Sequence, residues 1–173
     1  MLHGKRRITY RCFSGMLLLM FLLNLQGCDE SDYGDPGKKK AAADFSLDLF
    51  DGERFQLSNH KGKPVFINFW ASWCVPCAEE MPAIEKVYKE YKSKGVVFVG
   101  IAVNDTETKA GEFAEKFEVT FPVGLDEAGD IREAYGIYGV PTSLFVSKDG
   151  RTNYVHVGRV TEDLLRHELD KLL

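Results

Sequence analysis

The sequence contains few cysteines, which limits what they can do for the fold. There are 4 in 173 residues, at Cys12, Cys28, Cys74 and Cys77. The first two lie within the first 28 residues, so the rest of the chain holds one close pair. A small domain that depends on disulfides needs more pairs than this. The domain must therefore be stabilised by a hydrophobic core, and the chain is long enough to form one.

Strong positive charge and cofactor motifs are also missing. The formal net charge is −4, and no glycine-rich GxGxxG motif occurs. A slightly acidic chain argues against nucleic acid and other phosphate-rich partners. Without a nucleotide-binding motif we expect no cofactor. The histidines are few, 4 in all, and His60, His156 and His167 show no metal-ligand spacing, so we expect no metal site.

Long apolar runs are limited to the N-terminus. The run Met16–Leu25 is too short for a transmembrane helix, which needs about 20 apolar residues. Basic residues precede it, and together they predict an export signal. The following residues, Leu25–Cys28, resemble the bacterial lipobox. That resemblance implies removal of residues 1–27 and a lipid on Cys28; the alternative is an uncleaved signal anchor.

The segment after the export signal is polar and rich in small residues. It contains glycine, proline and a lysine run, which predicts a flexible tether over residues 28–43. We expect the folded domain over residues 44–173. Lipid on Cys28 would hold this domain in the bacterial cell envelope, on the outer face of the cytoplasmic membrane. Loss of the four basic residues of the signal would take the formal net charge from −4 to −8.

The apolar pattern of residues 44–173 predicts an α/β fold. Alternating apolar residues on both sides of Asp51-Gly52 indicate a hairpin. The apolar runs Val65–Trp70 and Val96–Val103 are typical of strands buried on both faces. Helical spacing between them predicts a helix that stops before Gly95. The further predicted elements are Glu107–Phe117 (helix), Phe121–Leu125 (strand), Ile131–Tyr135 (helix), Ser143–Val146 and Asn153–Val157 (strands), and Glu162–Leu172 (helix). This order predicts one mixed central sheet flanked by helices.

The pair Cys74 and Cys77 lies between a predicted buried strand and a predicted helix. A CxxC motif alone fits several chemistries. A zinc site needs two further ligands, and haem attachment needs a histidine where Ala78 stands. A structural disulfide with so small a loop would constrain little of the unfolded chain. A copper site needs a third ligand, for which Met81 is the candidate, although its spacing fits the buried face of the helix.

Thiol–disulfide chemistry accounts best for the position of the pair. The thiolate is the reactive form of cysteine, and a helix N-terminus stabilises negative charge. We therefore predict that Cys74, at the helix start, is the exposed nucleophile, and that Cys77, one turn later, resolves the mixed disulfide. Pro76 fits the first helical turn, where no N–H is needed. Trp73 either packs beside the sulfurs and limits access or anchors the core.

A second feature, Gly139–Thr142, precedes a predicted strand far along the chain. A WCxxC motif after a central strand, combined with a proline such as Pro141, resembles the thioredoxin fold. The resemblance implies a cis Val140–Pro141 bond opposite the cysteines. It also implies that the backbone of Val140 binds substrate peptide. With Trp73 and Pro76, these residues form the expected substrate-binding surface.

Further stretches narrow the resemblance. The sequence FWASWCVPCAEEMP, the predicted hairpin, the export signal and the insert Phe121–Tyr138 resemble the membrane-anchored TlpA/ResA-type reductases of the thioredoxin superfamily. That family carries a glutamate shortly after CxxC, which implies a proton-transfer role for Glu80. Glu80 shares a helix face with Cys77, and burial would raise its pKa. The alternative is a solvated first-turn carboxylate, which is what we predict for Glu79.

The resemblance implies an exported, membrane-anchored enzyme that reduces disulfides through a Cys74–Cys77 redox disulfide. The expected substrates are the CxxCH cysteines of apocytochromes c, or cysteines of copper-site assembly proteins. A membrane thiol protein would supply the electrons. The alternatives are a disulfide oxidase or isomerase, a peroxiredoxin-like peroxidase, and a non-enzymatic copper-binding module. The peroxidase needs Thr or Ser three residues before the reactive cysteine, where Ala71 stands.

Overall fold

The computed structural model describes residues 39–173. The predicted signal peptide over residues 1–27, the lipidation site Cys28 and most of the predicted tether lie outside these residues. The strands are β1 (Ser46–Asp48), β2 (Arg54–Gln56), β3 (Val65–Trp70), β4 (Val97–Val103), β5 (Val123–Asp126), β6 (Thr142–Val146) and β7 (Thr152–Val157). The α-helices are α1 (Val75–Tyr91), α2 (Glu107–Lys116), α3 (Asp130–Ala134) and α4 (Glu162–Asp170).

Strand β3 occupies the middle of a five-stranded mixed sheet with the order β5-β4-β3-β6-β7. It pairs in parallel with β4 and antiparallel with β6. All six residues of β3 are buried, as its nearly continuous apolar run predicts. Strands β1 and β2 form a separate antiparallel hairpin. The predicted fold class, a thioredoxin fold with an N-terminal hairpin, is confirmed.

Two of the predicted boundaries are wrong by two residues, each for a local reason, and the remaining ones differ by at most one residue. Strand β5 begins at Val123 rather than Phe121, because Pro122 has no N–H to give to the ladder. Helix α4 ends at Asp170 rather than Leu172. There the N–H of Leu172 bonds to the carbonyl of Leu169 at 3.0 Å, which is a tighter turn than an α-helix makes.

The core consists of one apolar cluster on each face of the sheet. Phe66 and Trp70 of β3 point to the face covered by α1, α2 and α4, where Trp70 stacks on Phe113. Ile67 and Phe69 point to the opposite face, which the hairpin and α3 cover. This alternation is the period of two that a strand imposes on its side chains. It also places Asn68 on the face covered by α1.

The hairpin approaches the edge of the sheet closely at Gly124. A backbone bridge joins Leu49 to Gly124, and a Cβ atom on Gly124 would lie 2.2 Å from the carbonyl oxygen of Asp48. Only glycine permits this approach.

The segment before β1 also contacts the domain. The N–H of Ala42 bonds to the carbonyl of Gly150 at 2.9 Å. Ala42 belongs to the segment predicted as the tether, so this segment is bonded to the domain near its C-terminal end.

Candidate active site

The cysteine pair lies at the carboxyl end of β3, where α1 begins. Cys74 is the N-cap of α1, and its Sγ accepts a hydrogen bond of 3.2 Å from the N–H of Cys77. Val75 and Pro76 form the first turn, where Pro76 needs no intrahelical partner. When the pair is reduced, the free N–H groups and dipole of this helix end favour the thiolate form of Cys74.

Cys74 and Cys77 form a disulfide, with an S–S distance of 2.09 Å and Cα atoms 5.2 Å apart. Cys77 is 0% exposed and Cys74 is 5% exposed. Cys77 is less accessible than Cys74, as expected. The expectation that Cys74 is exposed is wrong for the disulfide form. In this form the neighbouring Val75 and Pro76 carry the exposed surface of the turn instead.

The loop before Cys74 is tied to the loop that follows β4. The backbone N–H of Ser72 donates to Asp105 at 2.5 Å, and the Ser72 hydroxyl donates to the other oxygen of Asp105 at 2.9 Å. Nε1 of Trp73 donates to the carbonyl of Asn104 at 3.0 Å. Trp73 is nevertheless 60% exposed, so the alternative that it anchors the core is wrong. Its ring stands in solvent next to Cys74.

The proline loop reaches the same end of the sheet. The Val140–Pro141 bond is cis, as the family resemblance implies. Thr142, the first residue of β6, pairs with Phe69 near the end of β3. The carbonyl of Pro141 accepts a hydrogen bond of 2.8 Å from Gly158, which follows β7. Strands β3 and β6 are antiparallel neighbours, so the end of β3 lies beside the start of β6. The cysteine turn that follows β3 is therefore close to the proline loop that precedes β6.

Glu80 is buried in the middle of this region. Its side chain is 0% exposed; Oε2 accepts a hydrogen bond of 2.8 Å from the N–H of Val160, and Oε1 accepts one of 2.9 Å from Nδ2 of Asn68. Burial raises the pKa of Glu80 from 4.5 to about 7, against the two hydrogen bonds and the charge of Arg159, which lower it. The alternative of a solvated carboxylate is therefore wrong for Glu80. It holds for Glu79, which is exposed and pairs with Arg159 at 3.4 Å.

Two buried polar residues next to Glu80 were not identified from the sequence. Asn68 of β3 and Ser143 of β6 are register partners and are both 0% exposed. Nδ2 of Asn68 donates to Oγ of Ser143 at 3.0 Å as well as to Glu80. The sequence does contain a signal that could have identified Asn68, because this asparagine interrupts the apolar run VFINFW. A polar residue at the centre of a strand buried on both faces needs a buried partner.

Exposed apolar side chains at the cysteine turn and next to the proline loop form what we call the apolar rim. We define it by Trp73, Val75, Tyr138 and Val157, which are four of the six large apolar residues that are exposed in residues 39–173. Trp73 and Val75 flank Cys74, Tyr138 precedes the proline loop, and Val157 pairs with Thr142 at its other side. Tyr138 is 100% exposed. Apolar surface of this kind, gathered around a reactive group, is typical of a binding surface.

The arrangement is suited to thiol–disulfide exchange. It combines a close cysteine pair at a helix N-terminus, a buried carboxyl group with a raised pKa on the same helix, and an apolar surface for a polypeptide. In the part of the chain that the structure describes, no three His, Cys, Asp or Glu side chains are grouped closely enough to hold a metal ion. Met81, the candidate copper ligand, is 0% exposed and packs in the core on the α1 face.

Comparison with known proteins identifies the family. The family described as Redoxin matches residues 37–173. The chain belongs to the Redoxin family. It is 35% identical to a thiol-disulfide oxidoreductase ResA of Bacillus cereus, over 97% of this chain and 98% of that protein. It is therefore a ResA-like thiol–disulfide oxidoreductase of the thioredoxin superfamily, with Cys74 and Cys77 as its CxxC pair.

Solved structures of similar proteins share the fold. A thiol:disulfide interchange protein of the thioredoxin family from Chlorobium tepidum superposes with a TM-score of 0.73 at 29% identity, over 80% of this chain and 99% of that chain. The exposed lipoprotein thioredoxin Etrx1 of Streptococcus pneumoniae superposes with a TM-score of 0.69 at 30% identity, over 75% of this chain and 100% of that chain. Among the helices of residues 39–173, none has the length and apolar character needed to cross a bilayer.

Proposed function

We propose that this Redoxin protein is a membrane-anchored reductase of specific envelope proteins. Its expected substrates are disulfides in the CxxCH motifs of apocytochromes c or in copper-site assembly proteins. The observation that carries the proposal is the buried Glu80 carboxyl on the same helix as the cysteine pair, with a pKa raised to about 7. A group that titrates near neutral pH is able to take and return a proton during exchange.

The proposed reaction is a two-electron transfer in two displacements. The Cys74 thiolate attacks one sulfur of the substrate disulfide, forms a mixed disulfide and releases the first substrate thiolate. Cys77 then gives its proton to the Glu80 carboxylate, and the Cys77 thiolate attacks Sγ of Cys74. The second substrate thiolate leaves, and the Cys74–Cys77 disulfide forms. A membrane thiol protein then reduces this disulfide and restores the starting state.

Substrate recognition is assigned to the surface around Cys74. The apolar rim offers exposed side chains on both sides of the cysteine turn, and Pro76 is exposed between them. The loop at Val140 and Pro141 contributes backbone groups for an extended peptide. A substrate cysteine flanked by apolar residues would fit this surface, since burial of the rim on binding contributes favourable free energy.

Trapping of the mixed disulfide tests both the substrates and the cysteine roles. In a Cys77→Ser variant the mixed disulfide on Cys74 cannot be resolved, so partner proteins should accumulate in covalent complexes that mass spectrometry can identify. Cys74→Ser is the matched control and should trap none. Capture of apocytochromes c or copper-assembly proteins supports the proposal. Capture that depends on Cys77 instead of Cys74 would show that the two roles are reversed.

The reduction potential tests the direction of electron flow. Thioredoxin-fold proteins span about −270 mV for reductants to about −120 mV for strong oxidants. We expect a value near the reducing end, measured by equilibration of the protein with glutathione or dithiothreitol. A value near −120 mV would favour the alternative of a disulfide oxidase.

Lipidation of Cys28 is the proposed anchor. Mass spectrometry of the mature wild-type protein should show an N-terminus at Cys28 that carries the mass of a lipid, and Cys28→Ala should lack this modification. A wild-type protein that retains residues 1–27 and carries no lipid would instead indicate an uncleaved signal anchor. The similar protein of Streptococcus pneumoniae is described as an exposed lipoprotein, which supports the proposal.

A further inference from the structure

A buried polar cluster of Asn68, Glu80 and Ser143 lies between the sheet and α1. All three side chains are 0% exposed, and they come from β3, α1 and β6. The same face of the sheet otherwise carries large apolar residues such as Phe66, Trp70 and Phe145. Burial of three polar groups in such surroundings costs free energy unless they satisfy one another. Their positions therefore need an account in terms of hydrogen bonds.

The hydrogen bonds of Asn68 are unevenly distributed. Its Nδ2 makes both bonds, to Oε1 of Glu80 at 2.9 Å and to Oγ of Ser143 at 3.0 Å. Its Oδ1 has no partner among the groups described in the structure and is shielded from solvent. An asparagine amide can donate two hydrogen bonds and accept two. The observed orientation thus uses all of the donors and leaves the acceptor free.

This orientation suits the ionised carboxylate of Glu80. Its two oxygens then accept from Nδ2 of Asn68 and from the N–H of Val160. A protonated carboxyl is different, because one of its oxygens becomes a donor. The Val160 N–H belongs to the backbone and can only donate, so the proton must sit on the other oxygen, Oε1. There it would face the Nδ2 hydrogens of Asn68, donor against donor.

Rotation of the Asn68 amide removes this conflict. A half-turn about its last side-chain bond exchanges Oδ1 and Nδ2, which have nearly the same position and size. Oδ1 then accepts from the Glu80 carboxyl and from the hydroxyl of Ser143, which donates in this state and accepts in the other. Each orientation makes two hydrogen bonds at the same two places. Neither protonation state of Glu80 needs movement of the backbone.

We infer that the Asn68 amide takes two orientations, one for each protonation state of Glu80, and that the Ser143 hydroxyl serves both. Asn68 is thus a positioning residue, which acts through Glu80 and does not touch the reacting sulfurs. Its use in catalysis rests on the proposed proton role of Glu80. The arrangement supports a proton that arrives and leaves in each cycle, since a fixed donor would favour the ionised form alone.

Few other titratable groups surround Glu80 in residues 39–173. Arg159, beside Val160, attracts the ionised form and is itself paired with Glu79. Strand β7 contributes His156, the register partner of Ser143, with its Nε2 placed 3.2 Å from the Arg159 carbonyl. On α1 the nearest such groups in sequence are Glu79 and the disulfide-bonded Cys77. Asn68 and Ser143 are therefore the uncharged groups of the sheet that respond to the proton.

Nuclear magnetic resonance of the wild-type full chain tests the two orientations directly. The side-chain NH₂ signals of Asn68, assigned by their loss in Asn68→Leu, should shift across the titration of Glu80 with the same midpoint. Their proximity to the Ser143 side-chain hydrogens should be lost in the protonated state. Asn68 signals that stay unchanged while Glu80 titrates would overturn the inference. The titration itself is measured on the wild-type protein, and the variant serves only for the assignment.

Infrared spectroscopy gives an independent readout from the carboxyl group. The carbonyl band of protonated Glu80 is identified as the band that Glu80→Gln removes. In Asn68→Leu it should move to higher wavenumber, because the acceptor of the carboxyl proton is gone. The control Thr142→Val removes a neighbouring buried hydroxyl that bonds to Gly139, and it should leave the band in place. A band unmoved in Asn68→Leu counts against the inference.

The two proposals fail in different ways. If Glu80→Gln leaves the pH–rate profile of the reductase unchanged, the proton role of Glu80 is wrong, while the coupling of Asn68 to Glu80 is judged by the spectra alone. If Glu80→Gln slows turnover but Asn68 does not respond to the proton, the proton role stands and the two-orientation inference is wrong.

Discussion

The N–H of Val160 donates a 2.8 Å hydrogen bond to Oε2 of Glu80, across 80 residues of sequence. This bond joins the active-site helix α1 to the loop that leads into α4. It holds the Glu80 carboxyl group in the core, where burial disfavours the ionised form. Both the stability of the domain and its turnover should therefore depend on the proton of Glu80.

Stability should fall as the pH rises through the titration of Glu80. The pKa of Glu80 is raised from 4.5 to about 7 in the folded protein, so between these values the folded state binds more protons than the unfolded state. The linkage relation then predicts a loss of about 3 kcal/mol in the free energy of unfolding from pH 4.5 to above pH 7. Glu80→Gln should lack this loss, as measured by urea unfolding at several pH values.

The control for that experiment is the adjacent Glu79, which is exposed and pairs with Arg159. An exposed ion pair contributes at most about 1 kcal/mol, so Glu79→Gln should retain the pH dependence of the wild type. Parallel curves for wild type and Glu80→Gln would show that the Glu80 carboxyl titrates at its ordinary pKa.

Turnover should depend on the same carboxyl. Glu80→Gln keeps the shape of the side chain but cannot accept a proton from Cys77, so we expect reduction of a protein disulfide to slow by about 10²-fold or more. The rate of the wild type should change with a midpoint near pH 7, the pKa of Glu80, and this inflection should be absent from the variant. Stopped-flow measurement of a single turnover checks both points. Equal rates for Glu80→Gln and Glu79→Gln would contradict the prediction.

The apolar rim should affect protein substrates but not small ones. Tyr138→Ser and Val157→Ser remove exposed apolar surface of the rim. We expect each to lower kcat/KM for a protein disulfide by about 5- to 30-fold, since a buried apolar side chain contributes roughly 1–2 kcal/mol. The rate with a small aromatic disulfide should not change.

A matched control for the rim lies on the same strand. Val155 is also exposed on β7 but is two residues farther from the end that carries Val157. Val155→Ser should leave both rates unchanged. If Val155→Ser and Val157→Ser reduced kcat/KM equally, the effect would come from the strand rather than from the rim.

The hairpin should be sensitive to one methyl group at Gly124. A Cβ there would lie 2.2 Å from the carbonyl oxygen of Asp48, so Gly124→Ala should displace the hairpin and cost about 2–3 kcal/mol. In α2, a Cβ on Gly111 meets nothing within 4 Å, and Gly111→Ala should stabilise the protein by about 0.5–1 kcal/mol. Thermal unfolding distinguishes the two, and a neutral Gly124→Ala would show that the hairpin yields easily.

The sequence predicted the elements of the fold well because burial leaves a strong pattern. The nearly continuous apolar run Val65–Trp70 matches a strand that is buried at every residue, and the alternation around Asp51-Gly52 matches the hairpin. The predicted boundaries were wrong where backbone hydrogen bonds determine them. One example is Pro122, after which β5 begins. Patterns of side chains do not show which N–H groups have partners.

For the site, the sequence identified the residues to which the proposed chemistry is assigned. Cys74, Cys77 and Glu80 stand within one motif. The family resemblance singled out Glu80, and its spacing placed it on the same helix face as Cys77. It did not identify Asn68 and Ser143, which are 75 residues apart and meet only because β3 and β6 pair. It also left open whether Trp73 is in the core or in solvent, since an aromatic ring fits both.

What the sequence determined by itself is therefore local: a cysteine pair at a helix start, a glutamate one turn farther, and strands buried on both faces. These follow from the period of helices and strands and from the preferences of helix ends. Only the tertiary structure decided what surrounds the Glu80 carboxyl, namely the N–H of Val160 from one loop and the amide of Asn68 from the sheet. The proton affinity of a buried group depends on the sum of burial and all neighbouring dipoles and charges, and those neighbours come from distant parts of the chain.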